Sequence, residues 1–215
     1  GAGAMTAFRV ATADDDDRLR GVLRDNGMPG WVEMSIEREP SYFAGVDWFG
    51  RDWAVLAEEG GDLVGMYAAS VLPVCVNGTL EHVGYLGGLR VQAAHRRRIR
   101  HLREGYASIR RLAPAPTTVP WWFTVVAADN EVARRLLESG VRGLPTYRAI
   151  GSYATYAVAT TRGRPRALWR CPQPGEVPSL LAWHKQLAAR QQLTPVLDEH
   201  RLRRIGTDGL WVCTD

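Results

Sequence analysis

The stretch YLGGLRVQAAHRRRIRHLREGY, Tyr85 to Tyr106, decides the reading of this chain. An apolar run from Leu86 to Val91 stops at a turn, and Arg96, Arg97 and Arg98 open what reads as a helix. Between Arg90 and Arg111 stand eight arginines and two histidines against one acid, Glu104. The first turn of a helix has N–H groups without intrahelical partners and carries the positive end of the dipole. A strand feeding an arginine-loaded helix start therefore predicts an anion site, with a phosphate-bearing cofactor as the expected occupant.

The flanking sequence places this junction inside a sheet. Asn77-Gly78, between VCV and TLEHV, is a hairpin signal because both residues tolerate positive φ. It joins a predicted strand over Leu63 to Val76 to another over Thr79 to Val91. Trp53 to Ala57 reads as a further strand, turned by Gly60-Gly61. Phe8 to Thr12 alternates apolar and polar residues as a first strand. Asp14 to Asp17 then open a helix whose spacing is set by Leu19, Val22 and Leu23 and which ends at Asn26-Gly27. The segment to Gly50 is aromatic-rich and less regular. Downstream, Pro120 to Ala127 reads as a strand, Val132 to Leu137 as a short amphipathic helix stopping at Gly140, and Thr146 to Thr160 as a last pair of strands. The predicted order is β-α-α-β-β-β-α-β-α-β-β. Gly163 to Pro178, with four prolines, reads as a linker. Ser179 to Gln192 reads as a helix and Leu210 to Thr214 as a strand.

Composition sets wider limits. At 215 residues, 46% hydrophobic and 23% charged, the chain is long enough for one domain with its own core plus an appendage. Gly1 to Ala4 read as a remnant ahead of a natural start at Met5. No apolar run nears the ~20 residues of a membrane span, and no secretory leader is visible. Cys75, Cys171 and Cys213 are odd in number and widely spaced, so a reducing cytoplasm is expected rather than a disulfide framework or a metal site. The net charge of +4 comes almost wholly from arginine, Lys185 being the only lysine.

The order and motifs resemble the GNAT superfamily of acyl-CoA-dependent N-acyltransferases over roughly Phe8 to Thr160. Leu89-Arg90-Val91 matches the end of the family's fourth strand. His95-Arg96-Arg97-Arg98-Ile99 matches an arginine-rich form of its pyrophosphate loop. Asp129-Asn130 with Ala133 and Leu136 matches its fifth-strand and helix signature. The resemblance implies an α/β fold, a mixed central sheet flanked by helices, with a short C-terminal extension. It places an acyltransferase domain at residues 5–161, with residues 162–215 as a proline-rich linker and extension. That extension looks like the opening of a second such unit left incomplete. Four positions depart from the family pattern. Ala93 replaces the proline after the strand, and Ile99 or Arg100 the loop glycine. Leu137 replaces the tyrosine that protonates the leaving thiolate, and Tyr85 the carboxylate of the fourth strand.

The resemblance implies acetyl-CoA as acyl donor, held by the backbone of Leu89, Arg90 and Val91 and by Arg96, Arg97, Arg98, Ile99 and Arg100, with Asn130 beside the thioester arm. Guanidinium groups bind phosphate bidentately and would replace part of the lost backbone cradle. Tyr85 occupies the family's base position, with Glu81 or His82 as a proton relay through water, and Tyr147 is the candidate proton donor to the thiolate. Trp31, Tyr42, Phe43, Trp48 and Phe49 lie where the family builds its acceptor wall. Glu33, Glu37, Glu39 and Asp47 are interleaved with them, and Trp31 and Glu33 are the chosen substrate contacts. The expected acceptor is a small-molecule or peptidyl amine, with no membrane partner and a homo-oligomer left open. Two alternatives stand: a non-catalytic acyl-CoA-binding or assembly module, and a nucleic-acid surface over Arg90–Arg111. The last lacks any stacking or groove-reading motif.

Overall fold

The computed structural model describes residues 5–28, 35–96, 98–156, 169–205 and 211–213. The sheet grows from local pattern. β1 (Ala7–Val10) leads through a 3-10 turn into α1 (Asp16–Asp25), whose Leu19, Val22 and Leu23 are buried on one face. β2 (Arg51–Glu59), β3 (Asp62–Val76) and β4 (Thr79–Val91) form an antiparallel meander. The β3–β4 turn has φ of 50° at Asn77 and 80° at Gly78, the left-handed pair that a tight hairpin demands. After a 3-10 turn at Ala93–His95 comes α2 (Ile99–Leu112), which crosses to β5 (Trp122–Thr124), parallel to β4. α3 (Glu131–Glu138) follows. The strand order is β1-β2-β3-β4-β5.

The core lies on both faces of the sheet. Along β2, Ala54 and Leu56 face α1 with Met66 of β3, while Trp53 and Val55 face α2 with Tyr67, Ala69 and Ile109. Burial on both faces is why β2 and β3 read as nearly continuous apolar runs. Polar ties fix the layers. The Arg9 guanidinium donates to both oxygens of buried Asp15 at 2.7 Å and to Glu58 at 3.0 and 3.2 Å. These bonds hold both carboxyls below their usual range, Arg9 being the first cause in each case. Tyr67 and Ser108 hydroxyls share a 2.8 Å bond between β3 and α2.

The C-terminal segment docks on this domain. β6 (Trp169–Arg170), α4 (Val177–Ala188), β7 (Thr194–Pro195), α5 (Glu199–Ile205) and β8 (Val212–Cys213) complete the described elements. β7 pairs with Val74 and Cys75 of β3, beyond the point where β2 begins, and β8 pairs with β6. Ala188 and Leu202 are buried. Trp183 and Leu187 stay exposed, so docking covers only part of the apolar side chains of α4. No helix is long and apolar enough to cross a membrane among the described residues.

Several expectations need correction. The described residues between 35 and 50 contain turns and no second helix. β5 is three residues long rather than spanning Pro120 to Ala127. The expected strands between Thr146 and Thr160 are absent over residues 146–156, and residues 157–160 lie outside the described set. Ile150, Tyr153 and Tyr156 are exposed there: the residue types suit a strand, but among the described residues none pairs with this stretch.

Candidate active site

The parallel pair β4 and β5 separates early. Their pairing runs from Gly84↔Trp122 to Leu86↔Thr124 and ends there, so on that side residues 87–91 have no strand neighbour among the described residues. The register with β3 slips between Ala68↔Gly87 and Met66↔Arg90, one extra residue on β4. Gly88 sits in this bulge with φ of 60°, a conformation that suits glycine, and the strand bends away from β5. Leu89 is exposed on the freed stretch and Val91 is half-buried. The opening therefore lies at the carboxyl ends of the parallel strands, where open α/β sheets bind ligands. α2 begins eight residues after Val91.

The arginines divide into two groups. Arg90 Nε donates to the Asn26 carbonyl at 2.9 Å, and Arg96 donates to the Asn26 side chain at 2.9 Å and to the Val91 carbonyl at 3.0 Å. Both therefore close the C-terminus of α1, where cations complement the dipole, and do not present themselves as anion ligands. Arg97 lies outside the described residues. Arg98 and Arg100 remain at the start of α2, donating to Glu59 at 3.1 and 3.0 Å. Cations at a helix N-terminus oppose its dipole, and Glu59 at the end of β2 offsets that cost.

The backbone cradle implied for the loop is not in place. The amides of His95, Arg96 and Arg98 donate to the carbonyls of Gln92, Ala93 and His95, closing a 3-10 turn on itself. Ile99 or Arg100 stands where the family has a glycine, and a residue with a side chain resists the positive φ that glycine would allow.

The remaining candidates do not converge. Tyr85 packs on Phe123 with centroids 5.0 Å apart, and burial, then Tyr153, pushes its phenol above the ordinary value. It is a neutral hydroxyl at neutral pH and so a hydrogen-bond donor rather than a base. Glu81 accepts from Thr118, four residues back along β4, about 13 Å away at strand rise. Tyr147 shares a 2.9 Å hydroxyl bond with Tyr106 of α2, and burial raises both phenols. The Asn130 side-chain Oδ1 accepts from the Ala133 amide at 3.1 Å, making it the N-cap of α3. Trp31 and Glu33 lie outside the described residues. Tyr42 is core, and Glu39 and Asp47 are engaged by Arg20, Arg24 and Arg51. Two open surface grooves of roughly 580 and 510 Å³ lie elsewhere: one beside His82, Thr118 and Arg201, the other beside Arg110 and Trp122. Neither borders Arg98.

Among solved structures the chain is similar to a ribosomal-protein-alanine N-acetyltransferase from Brucella melitensis biovar Abortus 2308. Identity is 15% and the TM-score 0.50, over 73% of this chain and 99% of that one. It is also similar to a transcriptional regulator from Bacillus halodurans C-125, at 14% identity and TM-score 0.53, over 72% of this chain and 100% of that one. The chain has the GNAT fold. No protein-family model and no curated protein sequence matches it. Within this GNAT fold the element that sequence reasoning missed is Glu59. Its partners are 39 and 41 residues away, so no local spacing signals them.

Proposed function

We propose that the chain is an acyl-CoA-dependent N-acyltransferase, using acetyl-CoA to acylate a primary amine of a small molecule or peptide by direct attack. The observation that carries this reading is the bulged end of β4, paired with β3 but without a neighbour on the β5 side, leading to a helix start that bears Arg98 and Arg100. The backbone of residues 87–91 offers a strand edge for an amide-bearing arm, with the Leu89 and Val91 carbonyls already accepting from Arg90 and Arg96. The two guanidinium groups suit a pyrophosphate, and their placement against the dipole makes sense where an anion is bound. Acetyl-CoA supplies an activated thioester. The solved N-acetyltransferase that shares the fold supports the reaction class.

In this reaction the amine nitrogen forms a bond to the acyl carbon, the carbon–sulfur bond breaks, and the proton lost by nitrogen ends on the thiolate or in water. The chain contributes mainly by orientation and electrostatics, which can supply much of such a rate. Tyr85, on the paired part of β4 just before the bulge, is the proposed hydrogen-bond donor to the acyl end. Tyr147, tied to Tyr106, is the remaining candidate for the thiolate. Glu81 lies too far along β4 to touch the same atoms as a ligand on residues 87–91.

The scattered tyrosines and the capped Asn130 favour a second reading, a module of the same fold that binds acyl-CoA without turnover. Thiol release from acetyl-CoA, measured across a panel of amines that includes alanine-starting peptides, separates the two. Amine-dependent release lost in Arg98→Ala/Arg100→Ala is expected. Binding without release under every amine supports the second reading, and absence of binding removes both.

A further inference from the structure

Glu59 ends β2, His95 closes the turn before α2, and His101 lies in the first turn of that helix. One ligand atom from each lies within 4.8 Å of the other two. His95 Nδ1 and His101 Nε2 are buried and, among the described residues, have no hydrogen-bond partner. His101 as a whole is only 5% exposed. The rings meet edge to face with centroids 5.5 Å apart, and His95 Nδ1 stands 3.8 Å from Glu59 Oε2. Buried polar atoms without partners are rare and need a cause. Two ring nitrogens converging with a carboxylate form a donor set.

We propose that Glu59, His95 and His101 bind a divalent transition-metal ion, zinc being the class that two imidazoles and one carboxylate suit best. The ring chemistry is consistent. His101 Nδ1 lies 3.0 Å from the Thr6 hydroxyl. With the proton on Nδ1 donated to Thr6, Nε2 presents its lone pair inward, the outer-shell arrangement that orients a metal-binding histidine. Tetrahedral zinc with bonds of ~2.1 Å spaces its donors ~3.4 Å apart, so the three atoms close by on the order of 1 Å. Glu59 already accepts from Arg98 and Arg100, but a carboxylate has roughly four lone-pair sites and can ligate as well. The two positive charges weaken the site relative to one without them. Three protein ligands leave a fourth position open. The ion ties the end of β2 to the turn and to α2, fixing the segment that carries the arginines. The site is independent of the acyl-transfer reading and needs no acyl donor.

The test uses the full chain freed of metal by chelation and titrated with Co²⁺ and then Zn²⁺, without any CoA. One equivalent of Co²⁺ should develop visible ligand-field absorption that Zn²⁺ displaces, and Zn²⁺ should raise Tm. His95→Ala, at a half-buried turn position, should weaken Zn²⁺ at least tenfold while keeping the wild-type circular dichroism. If that variant does not fold, Glu59→Gln makes the same comparison. No stoichiometric uptake by the wild type overturns the proposal. So does wild-type affinity in whichever variant folds, which would trace uptake to the cysteines or surface histidines.

Discussion

Gly84→Ala tests the β4–β5 junction on which the site depends. Gly84 stands in register with Trp122, whose indole covers it so closely that an added Cβ would lie 2.1 Å from Cδ2 and 2.4 Å from Cε2. Carbon atoms rest at about 3.5–4.0 Å, so the ring or the strand has to move by roughly 1.4 Å. Trp122 has little room to retreat, because Trp53, itself buried, meets it edge-on with centroids 6.2 Å apart. Overpacking of this kind costs about 1–3 kcal/mol. For a chain of this size that is roughly 2–12 °C in Tm. β5 is only three residues long and all three pair with β4, so the strain falls on the seam that sets the mouth of the opening. Thermal melts by circular dichroism, with acetyl-CoA affinity measured on the same samples, read both effects. Gly21→Ala is the control: it lies in α1 with no atom within 4 Å of an added Cβ, and should stabilise by up to about 1 kcal/mol. If Gly84→Ala melts with the wild type, Trp122 does not seat on β4 and the described opening is wrong.

Arg98→Ala/Arg100→Ala should weaken acetyl-CoA by about 30-fold in calorimetry, taking ~1 kcal/mol for each half-exposed charge-assisted bond; an unchanged affinity contradicts the assignment of these two side chains. Asp15 and Glu58 have folded-state pKa values below their unfolded ones, so the stability they contribute is present above about pH 4 and lost as pH falls through the lower folded values. Melts from pH 6 downward should therefore show Tm falling below about pH 4, with a shallower fall in Arg9→Ala; parallel curves would argue against the Arg9 network. Removing residues 162–215 takes β7 from Val74 and Cys75 and removes the hydrogen bonds that the Leu193 and Val196 amides donate to the Cys75 and Pro73 carbonyls. The shortened chain should melt lower and aggregate sooner, and a fully soluble product of equal Tm would make the segment dispensable.

The sheet was legible because each strand's pattern is answered by a neighbour. The hairpin at Asn77-Gly78 and the bounds of β4 are local facts, and the apolar runs of β2 and β3 follow from burial on both faces. The stretch after Thr146 shows the limit: Ile150, Tyr153 and Tyr156 are residue types that strands favour, yet they stay exposed, because composition does not supply a partner strand. The site was legible as a place but not as a set of contacts. The run of arginines marks the helix start, whereas its division between Asn26 and Glu59 depends on residues dozens of positions away. His101 reads as one more polar residue of a charged helix, and only the fold buries it beside His95.

Amide hydrogen exchange with and without acetyl-CoA tests most directly whether the donor lies along the freed edge of β4 and the start of α2. Protection confined to residues 87–91 and the first turn of α2, and lost in Arg98→Ala/Arg100→Ala, is the predicted result. Protection in the groove beside His82 and Thr118, or none at saturating acetyl-CoA, would contradict it.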